Sequence, residues 1–163
     1  MKKIIKLLAL TVCVLLSSGC SLVSPVTSKI VEPYIRLSFE ASIQVNLDNN
    51  GHASPITVKV LQLSDRITFD NLSFERAYYQ PELLLGDELL AIKTIYLQPG
   101  ESLKQKLELE PKVEFIAVIA GFLTIEDSNW KQVYAIDDYW YYYQEVNLNS
   151  HGLNIEKSNK NER

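Results

Sequence analysis

From Ile35 to Leu47 apolar and polar residues alternate without a fault. Ile35, Leu37, Phe39, Ala41, Ile43, Val45 and Leu47 fall on one side, and Arg36, Ser38, Glu40, Ser42, Gln44 and Asn46 on the other. A period of two predicts a half-buried strand. So long a run also predicts a bend or bulge within it, because strands are usually about half this length. After a D-N-N-G turn, Ile56, Val58 and Val60 alternate again, then Leu61 and Leu63 shift the parity. A second strand that ends or bulges near Val60 is expected.

The next segment loses period two. Phe74, Ala77 and Tyr78 stand at helical spacing behind Asp70 as a candidate N-cap, and Pro81 through Leu85 ahead of Gly86 has the proline-first, glycine-last order of a short helix. Two short helices are expected as an insertion over about residues 64–86. Strands resume at 91–97, turn through Gln98-Pro99-Gly100-Glu101, and return through Leu103, Leu107 and Leu109. Proline fixes φ at the first central position of such a turn and glycine permits a positive φ at the second. Residues 113–123 (VEFIAVIAGFL) are almost continuously apolar, which predicts a central strand covered on both faces. Weaker strand signals follow at 131–136, 142–148 and 153–155. Seven or eight strands with one helical insertion describe a mainly β chain, a β-sandwich over residues 34–156, with a polar tail at 157–163 expected to be disordered.

Ahead of this domain, Lys2, Lys3 and Lys6 surround an apolar run from Ile4 to Leu16 that ends in small residues. That is the pattern of a secretory signal peptide, residues 1–19. The run is shorter than the about 20 residues that a membrane-spanning helix needs. Ser18-Gly19-Cys20 resembles the lipobox of bacterial lipoproteins, with Ser17 where leucine usually stands. The resemblance implies cleavage before Cys20 and lipidation of its sulfur; a free thiol is the alternative. Ser21 rather than aspartate after the cysteine implies sorting to the outer membrane. Residues 20–33 then read as a lipidated cysteine and tether. Cys13 lies in the removed segment, so the mature chain holds no partner for a disulfide.

Cleavage leaves 163 − 19 = 144 residues, one domain's worth. Removing three lysines leaves 13 basic residues against 20 acidic, a net charge of −7. An acidic domain without a Lys/Arg stripe argues against nucleic acid or anionic headgroups as its main partner.

Asn46-x-Asp48-x-Asn50-Gly51 copies the start of a calcium loop, but Thr57 stands at the twelfth position, where a bidentate glutamate is needed. The same residues suit a β-hairpin turn. His52 has no cysteine or second histidine near it in sequence, and reads as an exposed loop residue rather than a ligand or base. Ser128 and Lys131 match the S-x-x-K of acyl-transfer enzymes in a turn-like context, without the companion S-D-N and K-T-G motifs. With no G-x-S-x-G, phosphate loop or cluster of zinc ligands, neither an enzyme nor a metal or cofactor site is supported. The run Asp137-Asp138-Tyr139-Trp140-Tyr141-Tyr142-Tyr143 reads either as a platform for a sugar or protein, or as a strand burying one alternate subset.

Several of these segments recur together in one family. "LDNNGHASPITVKVLQL" after a long first strand, Phe69 and Phe74, "LLGDELL" at 84–90, "LQPGE" at 97–101, the apolar strand to Phe122, and Trp130-Lys131 resemble the type VI secretion outer-membrane lipoproteins, the TssJ (SciN, VasD) family, from about Leu37 to Val133. The resemblance implies a transthyretin-like (Ig-like) β-sandwich with a small helical insertion, lipid-anchored at the periplasmic face of the outer membrane. Its implied role is to dock the periplasmic C-terminal region of the inner-membrane subunit TssM (IcmF-like), and indirectly TssL, so building the envelope-spanning channel. In that family the loop after the first strand takes part in docking. Here this is Asp48, Asn49, Asn50, Gly51, His52, Ala53, Ser54 and Pro55. The alternative is a periplasmic lipoprotein that binds a small ligand or glycan through the Tyr/Trp cluster.

Overall fold

The structure, a computed structural model, describes residues 33–126, 128–136 and 141–157, with the side chains of 141–143 and 157 outside that description. The signal peptide, Cys20, the tether as far as residue 32, Asp137–Trp140 and residues 158–163 lie outside the described residues.

Eight strands form two four-stranded sheets among the described residues. The first has the order β4 (Ser102–Glu108), β1 (Tyr34–Ala41), β7 (Tyr141–Leu148), β8 (Leu153–Lys157). The second has the order β3 (Leu89–Leu97), β2 (Ile56–Leu63), β5 (Phe115–Ala120), β6 (Lys131–Ala135). Only β1 and β7 pair in parallel; every other pair is antiparallel. Ile35, Leu37, Phe39, Val146 and Leu148 of the first sheet pack against Ile56, Val58, Val60, Ile116 and Val118 of the second, which makes the sandwich core.

The outer face of the second sheet is covered as well. Helices α1 (Ile67–Asp70), α2 (Phe74–Tyr79) and α3 (Pro81–Leu85), closed by a 3₁₀ turn over Gly86–Glu88, bury Phe69, Phe74, Ala77 and Leu85 against Leu61, Leu63, Ala117 and Ile119. This explains the parity shift after Val60. The strand does not end there: β2 continues to Leu63, with a register shift against β3 at Gln62/Leu63. Val58 and Val60 face the sandwich core while Leu61 and Leu63 face the helices. The same two-sided burial makes β5 almost wholly apolar.

Four expectations need correction. The first strand ends at Ala41, because Ser42 turns the chain: its carbonyl accepts the amides of Val45 (3.0 Å) and Gly100 (3.2 Å). Ile43, expected on the core face, is 76% exposed, whereas Val45 returns to the core. Second, β1 and β2 belong to different sheets, so residues 42–55 are a crossover and not a hairpin between paired strands. The Pro99-Gly100 turn likewise joins β3 to β4 across sheets; its glycine has φ +78°, as a positive-φ turn position requires. Third, the insertion holds three helices rather than two. Fourth, Asp70 closes α1, and Ser73, with extended backbone, precedes α2.

Two lysines on the outer face of the second sheet hold this helical layer. Lys131 Nζ donates to the carbonyls of Phe69 (3.2 Å), Asp70 (2.8 Å) and Leu72 (3.1 Å), at and just beyond the end of α1. Lys59 Nζ donates to the carbonyl of Tyr78 at 2.6 Å, near the end of α2. A cation at a helix C-terminus is favoured by the exposed carbonyl dipoles.

Candidate partner-docking surface

Strand directions give the sandwich two distinct ends. The pairing registers within each sheet, with the short 98–101 turn that joins β3 to β4 across the sheets, make the odd-numbered strands run toward one end and the even-numbered strands leave it. Connections 42–55, 98–101, 121–130 and 149–152 therefore share that end. Pro33, where the tether joins, and the turn at 109–114 lie at the other, linked by the bond from Leu109 N to Pro33 O. β1 alone separates them by about 26 Å, at 3.3 Å for each of its eight residues.

The crossover 42–55 is built around Asn46 and Asp48. Asn46 is buried with φ +53°, in the left-handed region that asparagine tolerates better than most residues. Its side-chain amide donates to Pro55 O at 2.7 Å, and its side-chain oxygen accepts the amide of Leu123 at 2.7 Å. These contacts close the base of the loop and tie it to the β5–β6 connection. An isolated bridge between Leu47 and Ala53 narrows the loop above that base. At the tip, Asp48 Oδ1 accepts the amides of Asn50 and His52, each at 2.8 Å, and the backbone bonds Asp48 N to His52 O and Gly51 N to Asp48 O complete the turn. Gly51 holds φ +79°.

The tip therefore spends its polar backbone groups internally and offers side chains outward. Asn49, Asn50, Gly51, His52, Ala53 and Pro55 are exposed, while Asp48 and Ser54 are half-buried. The His52 amide holds the Asp48 carboxyl below its ordinary range, against a smaller opposing effect of desolvation, and the Asn50 amide lowers it further. His52 Nδ1 lies 3.5 Å from Asp48 Oδ2 and its side chain is 78% exposed. Asp48 Oδ1 is thus already occupied, and Thr57 lies in β2, so the calcium-like spelling folds as a turn. Among the described residues, no three His, Cys, Asp or Glu side chains converge to hold a metal.

The other candidates resolve differently. Ser128 Oγ donates to Ile125 O, and Lys131 turns to the α1 carbonyls, so S-x-x-K forms no hydroxyl–amine pair. Desolvation, partly offset by the nearby Asp70, lowers the Lys131 pKa. His151 is exposed, with Nδ1 2.7 Å from Ser150 Oγ. Tyr139 and Trp140, the side chains of Tyr141–Tyr143, and Cys20 lie outside the described residues. Sequence reasoning missed Asn46 as the keystone of the loop, because it falls on the polar side of an unbroken alternation and looks like any other solvent-facing residue.

A family model described as T6SS-SciN, type VI secretion lipoprotein (VasD, EvfM, TssJ), matches residues 33–151. No curated protein matches the chain in sequence. Among solved structures, the T6SS lipoprotein TssJ1 from Pseudomonas aeruginosa aligns with TM-score 0.76 at 16% identity, covering 79% of this chain and 98% of that one. Serratia marcescens Lip, a membrane-bound component of the type VI secretion system, aligns with TM-score 0.73 at 21% identity, covering 80% and 100%. A chain in a structure described as the T6SS protein TssM C-terminal domain from EAEC aligns with TM-score 0.63 at 21% identity, covering 75% and 99%. At these identities the alignments show a shared fold.

Proposed function

The chain belongs to the type VI secretion lipoprotein family, and we propose that it is a non-catalytic docking component of the secretion system's membrane complex, using the crossover loop 48–55 to bind the periplasmic C-terminal region of TssM. The observation that carries the reading is a loop both exposed and preorganised. Asn46 fixes its base and Asp48 its tip, so binding need not order it, which removes one of the costs of association. The polarity of the sandwich agrees: Pro33, the first described residue, and the loop sit at opposite ends of it. A matched chain of this fold in a structure described by the TssM C-terminal domain favours TssM among the possible partners. TssL is reached only through TssM.

In this reading Cys20 carries the lipid and Ser21 sends the protein to the outer membrane, its sandwich on the periplasmic side. The covalent lipid is the only prosthetic group required. Replacing residues 49–52 with Gly/Ser tests the reading: binding to the periplasmic region of the TssM encoded with this protein should be lost while the fold persists. Undiminished binding by the replaced loop would remove residues 48–55 from the interface.

A further inference from the structure

Residues 48–55 are too few to fill an interface of about 800 Å² per partner, so docking at this end needs adjoining surface. Two large aliphatic side chains stand ready. Ile43 is 76% exposed and Leu123 is 61% exposed. Single exposed apolar residues are ordinary. These two share one frame: Leu123 is bound through its amide to Asn46, and Ile43 lies in the Ser42–Val45 turn that leads into Asn46. Their backbone is therefore as fixed as the loop between them. Apolar side chains held on a fixed backbone and ringed by polar groups are how interface centres are built.

Charge specifies the partner further. The four connections at this end, 42–55, 98–101, 121–130 and 149–152, contain no lysine or arginine. Asp48, Glu101 and Glu126 lie within them, with Asp48 held ionised by its backbone bonds. Lys131, next along the chain, points its ammonium at the α1 carbonyls instead. Two exposed aliphatic side chains thus stand among polar and acidic residues with no basic one in the connections, and a complementary partner offers apolar side chains with basic neighbours.

We infer that Ile43 and Leu123 form the apolar centre of the docking surface, with the 48–52 turn and the carboxylates as its rim, and that the TssM segment seated there presents apolar side chains flanked by lysine or arginine. This deepens the docking reading and rests on it. The test is a titration of the full-length lipoprotein in detergent with the purified TssM periplasmic C-terminal region, at several salt concentrations. Wild type is compared with Ile43→Ser, Leu123→Ser and the double variant. Each single variant should weaken binding at least about tenfold with an unchanged thermal midpoint, and wild-type affinity should fall as salt rises. Wild type that fails to bind overturns the docking reading, and the inference with it. Wild type that binds while the double variant stays within about threefold overturns the inference alone. Affinity indifferent to salt overturns the basic character assigned to the partner.

Discussion

The amide of Leu123 donates to the side-chain oxygen of Asn46 at 2.7 Å, across 77 positions of sequence. Through that bond the β1–β2 and β5–β6 connections are tied together. The opposite side of the same side chain donates to Pro55 O, so one asparagine sets both the mouth of the loop and its neighbour.

Replacing Asn46 should therefore destabilise the domain in a particular order. Asn46→Ala leaves the Leu123 amide and the Pro55 carbonyl without their partner and adds left-handed strain, for a loss of about 2–4 kcal/mol. Asn46→Gly removes the bonds but relieves the strain, for about 1–3 kcal/mol. Urea denaturation of the two variants compares them; alanine tolerated as well as glycine would contradict the role given to φ.

Lys131→Met should loosen the helical layer before the sheets. It deprives the carbonyls of Phe69, Asp70 and Leu72 of their shared donor while preserving most of the stem's packing beside Trp130 and Phe69. The expected cost is about 1–3 kcal/mol. Hydrogen exchange should rise first in residues 67–79; uniform loss of protection would show that the lysine acts on the whole fold.

The turn at Asp48 should weaken only in acid. Its carboxyl titrates below the ordinary range in the folded state, chiefly through the His52 amide. A folded value below the unfolded one means that the stabilisation is complete above the unfolded value and is lost as pH falls through the folded one. Amide chemical shifts of Asn50 and His52 should hold steady at pH 5 and move together only below about pH 4. Asp48→Ala should abolish that titration, and its persistence in the variant would assign it to another group.

Cys20→Ser should abolish acyl labelling and release the protein from the membrane fraction, since its attachment is proposed to be the lipid alone. Among the described residues no helix is long and apolar enough to cross a membrane. Continued acyl labelling of the variant would refute Cys20 as the modified residue.

Most strands were legible because period-two alternation is local: Ile35 to Ala41, Ile56 to Val60 and the apolar run of β5 all occupy the expected elements. Their distribution between two sheets was not, since alternation reads the same in either. Ile43 shows the limit of periodicity. It keeps the parity of Ile35 and Phe39, yet a turn lies between them, closed by the bond from Val45 N to Ser42 O and braced from a distance by Gly100 N on the same carbonyl. The tip of the loop was legible as a turn from Asp48, Asn50 and Gly51. Asn46 and Lys131 were not legible as fasteners, because their partners lie 77 and about 60 positions away and no local pattern encodes them.

In the proposed function the loop at the far end of the sandwich docks TssM. The most direct measurement is the affinity of the full-length lipoprotein for the TssM periplasmic C-terminal region, before and after residues 49–52 are replaced with Gly/Ser. The account predicts specific one-to-one binding that the replacement abolishes, with the unfolding midpoint little changed. Equal binding by both proteins would contradict it.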